Sequence, residues 1–263
     1  QLRVRLPVPL IDLVLRAVWP ARRHVLQKVA RFVAPSSAVA KSLRDSGFPA
    51  GQIVTIWNGL PQEDYLIHPR RPGLKPESAR LLYVGRLVHG KGVQCLLEAL
   101  PRVRQAYPHL ILTVAGDGLF RPELERLCAS LGLWEATRFI GEQPRSRLPE
   151  LYAEADLVVI PSFSEVFPYV ALEAAASGVP VVATTVGGLP EILGDNVVLV
   201  PPMDAAALAS GILTVLTAPE LAAARASRAK EQCLARFGFE TMVDRIEALY
   251  SELCDGAPFI NTR

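Results

Sequence analysis

Two short runs of branched apolar residues stand on either side of an alanine-rich stretch, and they restrict the fold more than any other feature of the chain. The first is Asp156-Leu-Val-Val-Ile160 and the second is Val179-Pro-Val-Val-Ala183. Apolar runs without alternation belong to strands buried on both faces, the condition of strands inside a parallel sheet. Between them lie the loop Ser162–Phe167 and a segment with helical composition. Pro168 suits the first turn of that helix, where a missing N–H costs nothing, and Gly178 suits its end. The stretch therefore predicts strand, loop, helix, turn, strand.

The same alternation extends over most of the chain. Strands are predicted at Leu81–Val84, Leu110–Ala115, Arg138–Ile140 and Val197–Val200 as well. Between them, Val93, Leu96, Leu97, Leu100 and Val103 fall at helical spacing, and helices are expected over Glu123–Leu131 and Leu148–Ala153. Asp204 caps a helix through Leu216, Pro219 starts another, and Phe239–Leu253 is the last. This pattern predicts an α/β fold, a doubly wound parallel sheet of Rossmann-like type, over residues 80–236, with a final helix within 237–255. Earlier in the chain, Arg31-Phe-Val-Ala reads as a strand running into a helix capped by Ser36 or Ser37, carried to Leu43 and ended by Gly47. Ile53–Ile56 is a further strand, and Asn58-Gly59 a turn. Residues 1–65 thus hold a strand–helix–strand unit of α/β type ahead of the main sheet. Residues 66–79, rich in Pro and basic side chains, read as a linker.

Composition narrows the class. A net charge of +2 on 263 residues is too small for a nucleic-acid surface. Cys95, Cys128, Cys233 and Cys254 have no metal-ligand spacing, and a reduced, cytoplasmic compartment is the expectation. No run reaches the roughly 18 apolar residues of a membrane span. From Leu10 to Phe32 the chain carries Arg16, Arg22, Arg23, Lys28 and Arg31 against Asp12, with Trp19 interleaved. An ordinary surface helix broken at Pro20 is expected there; peripheral contact with an anionic membrane face is the alternative. The start at Gln1 suggests a piece of a longer chain.

Two constellations carry chemistry. Open parallel sheets bind ligands beyond the carboxyl ends of their strands, so the Ser162–Phe167 loop lies where a ligand should. The helix after it offers unpaired N–H groups, those of Phe167, Tyr169 and Val170, and a positive dipole end to an anion. Glu165 in the loop and Glu173 in the helix flank this anion site, and carboxylates suit paired sugar hydroxyls. A solvated Glu173 is the plainer alternative. The second constellation is Leu81-Leu-Tyr-Val-Gly85-Arg86-Leu-Val-His-Gly90-Lys91-Gly92. A guanidinium fork and an ammonium beside a glycine-rich backbone make a diphosphate site. A nucleotide diphosphate sugar needs all of these parts.

Rival readings of the same residues are weaker. Gly85 to Lys91 approaches a P-loop, but Gly92 stands where the hydroxyl that holds Mg²⁺ belongs, and no later strand ends in a metal-binding Asp. Ala115-Gly-Asp-Gly118 continues Leu-Phe-Arg, so the dinucleotide fingerprint is broken at its last glycine. His24, His68, His89 and His109 form no ligand cluster, and His89 is expected to be solvated.

The segment P-S-x-x-E-x-F-P-x-x-x-x-E-A-x-A-x-G-x-P-V-V-A-T resembles the signature of family 4 retaining glycosyltransferases, which have the GT-B fold. Gly85-Arg86-Leu with Lys91-Gly, Gly116-Asp-Gly118 and Gly187-Gly-Leu-Pro-Glu191 match further motifs of that family in order. The resemblance implies that Glu165 contacts the donor sugar, that Glu173 holds the nucleotide ribose, and that Arg86 and Lys91 bind the diphosphate. It makes residues 1–65 the last part of an acceptor-binding domain and the final helix a crossover back to it. Val166 departs from the family, which usually has Gly there. Base contact is expected near Ile140–Pro144. The implied activity is metal-independent transfer from a UDP- or GDP-sugar to a glycan, lipid or small-molecule acceptor, with no cofactor beyond the donor and with Arg86, Lys91 and Glu165 as the catalytic set. A binding module that needs a separate acceptor-binding chain, and an epimerase on the same fold, are the alternatives.

Overall fold

A computed structural model describes residues 28–61, 63–66 and 77–255. Most of the basic segment at 10–32 and of the Pro-rich stretch at 66–79 lies outside the described residues. The described chain forms two parallel sheets. The smaller pairs β1 (Phe32–Ala34) with β2 (Ile53–Thr55). Helix α1 (Ser37–Asp45) joins them, with Ser36 as its cap: the Ser36 hydroxyl accepts from the Val39 N–H. A single turn, α2 (Glu63–Leu66), follows.

The larger sheet has six parallel strands: β3 (Ser78–Val84), β4 (His109–Ala115), β5 (Thr137–Gly141), β6 (Leu157–Ile160), β7 (Val181–Thr184) and β8 (Val198–Val200). Their spatial order is β5-β4-β3-β6-β7-β8. The order reverses between β3 and β6, and a ligand crevice opens at such a switch point. Strands β6 and β7 are buried at every residue, as the apolar runs Leu157–Ile160 and Val181–Ala183 require, with Thr184 buried at the end of β7.

Helices cover both faces. Helix α3 (Val93–Ala106), α4 (Arg121–Ser130) and α8 (Ala205–Leu216) pack on one, burying Leu96, Leu97, Leu100, Leu124 and Ile212. On the other face lie α5 (Leu148–Glu154), α6 (Tyr169–Ala176), α7 (Leu189–Leu193) and α9 (Pro219–Arg236), around Tyr152, Leu172, Leu189 and Phe237. Each fully buried Leu contributes about 1.5–3 kcal/mol of transfer free energy. Helix α10 (Phe239–Asp255) returns toward the small sheet. The Leu60 N–H donates to the Phe237 carbonyl, the Phe239 N–H donates to the Leu60 carbonyl, and Arg31 pairs with Glu252 at 2.7 Å. No single helix among the described residues is long and apolar enough to cross a membrane.

Strand β3 begins three residues before its predicted start at Leu81, with Ser78, Ala79 and Arg80 opposite His109, Leu110 and Ile111. Arg80 hides this extension in the sequence. The structure tolerates it because Asp156 accepts from the Arg80 backbone N–H and from two of its guanidinium nitrogens. Helix α7 is an addition to the predicted elements, short and obscured by its leading glycines. The single turn α2 is a second addition, and the remaining strands and helices fall within a few residues of their predicted bounds.

Candidate functional site

The loop after β3 and the loop after β6 meet at the switch point. The first is pinned from below: Gly85 N–H donates to Ala115, Leu87 N–H donates to Asp117, and the Tyr83 hydroxyl donates to the Arg86 carbonyl at 2.9 Å. The Arg86 guanidinium stays exposed and finds no ion-pair partner among the described residues. Lys91 ends a 3-10 turn at His89–Lys91, and Gly92 starts α3. Gly92 has φ +70°, and a Cβ there would lie 1.9 Å from the Pro161 carbonyl oxygen. Only glycine admits the second loop so close. The Phe163 N–H donates to the Gly90 carbonyl at 2.8 Å, which ties the two loops directly. His89 lies edge-on between the rings of Phe120 and Phe163, at 5.5 and 5.6 Å, while staying exposed.

The second loop carries Glu165, whose side chain is only 6% exposed. Its Oε1 accepts from Lys91 Nζ at 2.6 Å and from Ser162 Oγ at 2.7 Å. Thr184 at the end of β7 fixes Ser162 in turn, its hydroxyl donating to the Ser162 carbonyl at 2.6 Å. Past Glu165, Phe167 is buried with its ring 5.8 Å from that of Phe237, whereas Val166 and Tyr169 are exposed. Pro168 caps α6. The N–H groups of Phe167, Tyr169 and Val170 have no acceptor among the described residues. They are the unpaired donors expected at a helix start.

Two clefts open here. One, of about 430 Å³, is lined by Arg86, Lys91, Glu165, Val166, Phe167 and Tyr169 among others. The other, of about 490 Å³, is lined by Gly85, Arg86, the Gly116–Gly118 turn, Glu142, Gln143 and Leu148. Arg86 lines both, so a ligand with an anionic centre and two arms would place its charge at Arg86.

Glu173 is one turn into α6 and 8% exposed. Its Oε2 accepts from the Tyr152 hydroxyl at 2.7 Å. Burial raises its pKa above the usual carboxylate value, opposed by the hydrogen bonds of Tyr152 and Tyr65 and by the charge of Arg145. The Tyr65 hydroxyl, from α2, faces the same carboxylate and Arg145 but lies buried without a well-formed hydrogen bond.

Residues 66–232 match the sequence family described as "Glycosyl transferases group 1". The chain is 38% identical over 201 residues to the glycogen synthase of Mycobacterium tuberculosis, covering 76% of this chain and 48% of that protein. The chain belongs to the group 1 glycosyltransferases. Its structure superposes on sucrose-phosphate synthase from Thermosynechococcus elongatus with a TM-score of 0.81 at 28% identity, over 92% of this chain and 63% of that one. It superposes on Anabaena Alr3699/HepE in complex with UDP-glucose with a TM-score of 0.76 at 27% identity, over 85% and 64%. The chain spans about half the length of the curated relatives it matches.

In this glycosyltransferase chain the structure brings Gly85, Arg86, Lys91, Glu165, Phe167 and Tyr169 to the two clefts, with Val170 in the first turn behind them. Three expectations shift. Glu173 lines neither cleft and is not solvated: α6 turns it inward onto Tyr152. Ile140 packs against the core, so the residues of that loop that reach the cleft are Glu142 and Gln143. His89 is flanked by aromatic rings rather than simply solvated. Sequence reasoning gave Ser162 no role; its position three residues before Glu165 was the available signal. Tyr152 had none, because its contact with Glu173 depends on how α5 meets α6.

Proposed function

We propose that this chain carries the donor half of a retaining glycosyltransferase that moves a sugar from a nucleotide diphosphate sugar, UDP- or GDP-linked, to a hydroxyl acceptor without a metal ion. One observation supports this above others: the exposed Arg86, the Lys91 ammonium, the Glu165 carboxylate and the residues that start α6 line one cleft at the sheet's switch point. The UDP and UDP-glucose complexes of the structural neighbour agree with a uridine donor.

In the reaction the bond between the sugar C1 and the diphosphate oxygen breaks, and its electron pair stays on that oxygen. The acceptor oxygen bonds to C1 on the same face, and its proton passes to the departing phosphate. Arg86, Lys91 and the N–H groups of Phe167, Tyr169 and Val170 stabilise the growing negative charge, the work a metal does elsewhere. Glu165 has Oε1 committed to Lys91 and Ser162, which leaves Oε2 for the sugar and for positive charge on its ring. The family likeness gives Glu173 to the nucleotide ribose; its carboxylate is turned onto Tyr152 and has to leave that hydroxyl to reach the sugar. The acceptor, whether glycan, lipid or small molecule, is held by the N-terminal unit or by a separate acceptor-binding chain.

The test is a transfer assay with a panel of UDP- and GDP-sugars on the wild type and on Arg86→Ala and Glu165→Ala. Each substitution is expected to lower turnover by about 10²–10³, the usual effect of losing one preorganised stabilising group. Unimpaired turnover in both variants would exclude the assignment, and donor binding without transfer would identify a binding module.

A further inference from the structure

Glu191 ends the Gly187-Gly-Leu-Pro-Glu191 segment, and the proposed chemistry gives it no task. Its carboxylate nonetheless accepts three hydrogen bonds, all from the N-terminal unit. The Ser37 N–H reaches Oε2 at 2.8 Å, and the Ser37 hydroxyl and the Trp57 indole N–H reach Oε1 at 2.8 and 2.6 Å. Ser37 is the first residue of α1, where an anion is favoured by unpaired N–H groups and the helix dipole. The Trp57 ring is held by the guanidinium groups of Arg236 and Arg245, 4.9 and 4.7 Å from its centre, and by the edge of Phe237 at 5.5 Å.

One residue before Ser37, the fully buried Ser36 caps α1 and donates its own proton to the Val166 carbonyl at 3.2 Å. The same carbonyl accepts from the Gly188 N–H at 3.1 Å. These contacts form a closed circuit. Val166 is held by α1 on one side and by the start of α7 on the other, and Glu191 binds α7 back to α1. The next peptide is trans, so the Phe167 N–H points opposite to the Val166 carbonyl. Fixing the carbonyl with two donors fixes that N–H, two residues after Glu165.

We propose that Ser36 and Glu191 are positioning residues for sugar transfer: through Val166 they hold the Glu165–Phe167 loop in its working geometry, and they make that geometry depend on the seat of the N-terminal unit. This rests on the donor-site reading above. Misplacing one N–H and one carboxylate harms a developing transition state more than a bound ground state. The loss should therefore fall on kcat.

The test uses Ser36→Ala, Ser36→Thr and Glu191→Gln in the full chain, with UDP and GDP titrations, transfer kinetics, and amide hydrogen exchange across residues 163–176. In Ser36→Ala and Glu191→Gln, kcat is expected to fall about tenfold while the dissociation constant of the preferred nucleoside diphosphate changes less than about threefold. Exchange should speed at Phe163 and Ala171, whose N–H groups are hydrogen-bonded to the Gly90 and Pro168 carbonyls on either side of the loop, and remain unchanged in β6 and β7. Ser36→Thr, which keeps the hydroxyl, restores both readouts. Wild-type kcat and exchange in Ser36→Ala and Glu191→Gln would overturn the proposal, as would faster exchange spread evenly over the chain. If the wild type binds neither nucleotide, the donor-site reading fails, and loop exchange alone decides the clamp.

Discussion

Lys91 answers to two partners in this account, the Glu165 carboxylate that it touches and the diphosphate that it awaits. The pair is mostly sequestered, with side chains 23% and 6% exposed. Removing one member of such a pair leaves a buried charge alone and costs about 3–5 kcal/mol. Lys91→Ala should therefore lose stability as well as activity. The double variant Lys91→Ala with Glu165→Gln should regain most of the stability and none of the turnover. Urea unfolding beside the transfer assay checks this, and activity that returns with stability would count against a direct role for Lys91. Glu173 gives a pH signature. Burial raises its folded-state pKa, so in a window just above the ordinary carboxylate range the folded chain keeps a proton that the unfolded chain has released. Stability falls as pH rises through that window and does not recover above it. Glu173→Gln should remove the fall, so its thermal midpoint rises relative to wild type between about pH 4 and pH 7. Parallel curves would contradict the assignment. The sequence showed that residues 165 and 173 were unusual positions for acids, but side-chain direction decides their roles, and nothing in a single chain's spacing told that Glu173 would meet Tyr152.

At the scale of elements, the site is built where loops lie on one another with no room for side chains. Gly187 has φ +55°, and a Cβ there would sit 1.8 Å from the Glu165 carbonyl oxygen. Gly187→Ala thus combines backbone strain with a clash that neither loop can relieve alone. It should cost about 2 kcal/mol or more and weaken donor binding, read by urea unfolding and nucleotide titration. A wild-type midpoint and affinity would show that the α7 start does not support the loop. Strands β6 and β7 were legible because Leu157–Ile160 and Val181–Ala183 are apolar without a break. The first residues of β3 were not, since Arg80 reads as a strand end until Asp156 is seen beside it. Helix α7 escaped notice because Gly187, Gly188 and Pro190 all look like loop residues, although Pro suits the first turn of a helix.

For the whole molecule, the strand order β5-β4-β3-β6-β7-β8 puts two loops far apart in sequence at one crevice, and no local pattern could state that adjacency. Alternation of strands and helices predicted the doubly wound class but not the order of the strands. The contacts between the N-terminal unit and the large sheet, through Ser36, Trp57 and Glu191, were not legible, because they join residues more than a hundred positions apart. On the proposed function, the crevice grips a diphosphate through Arg86, Lys91 and the start of α6. Calorimetric titration of the chain with UDP, GDP and the two bare nucleosides tests it most directly. One nucleoside diphosphate should bind at least about 100-fold more tightly than its nucleoside, and Arg86→Ala with Lys91→Ala should erase that difference, as charge-assisted hydrogen bonds from the protein supply it. Equal affinity for nucleoside and nucleoside diphosphate, or an advantage that survives the double substitution, would contradict the account.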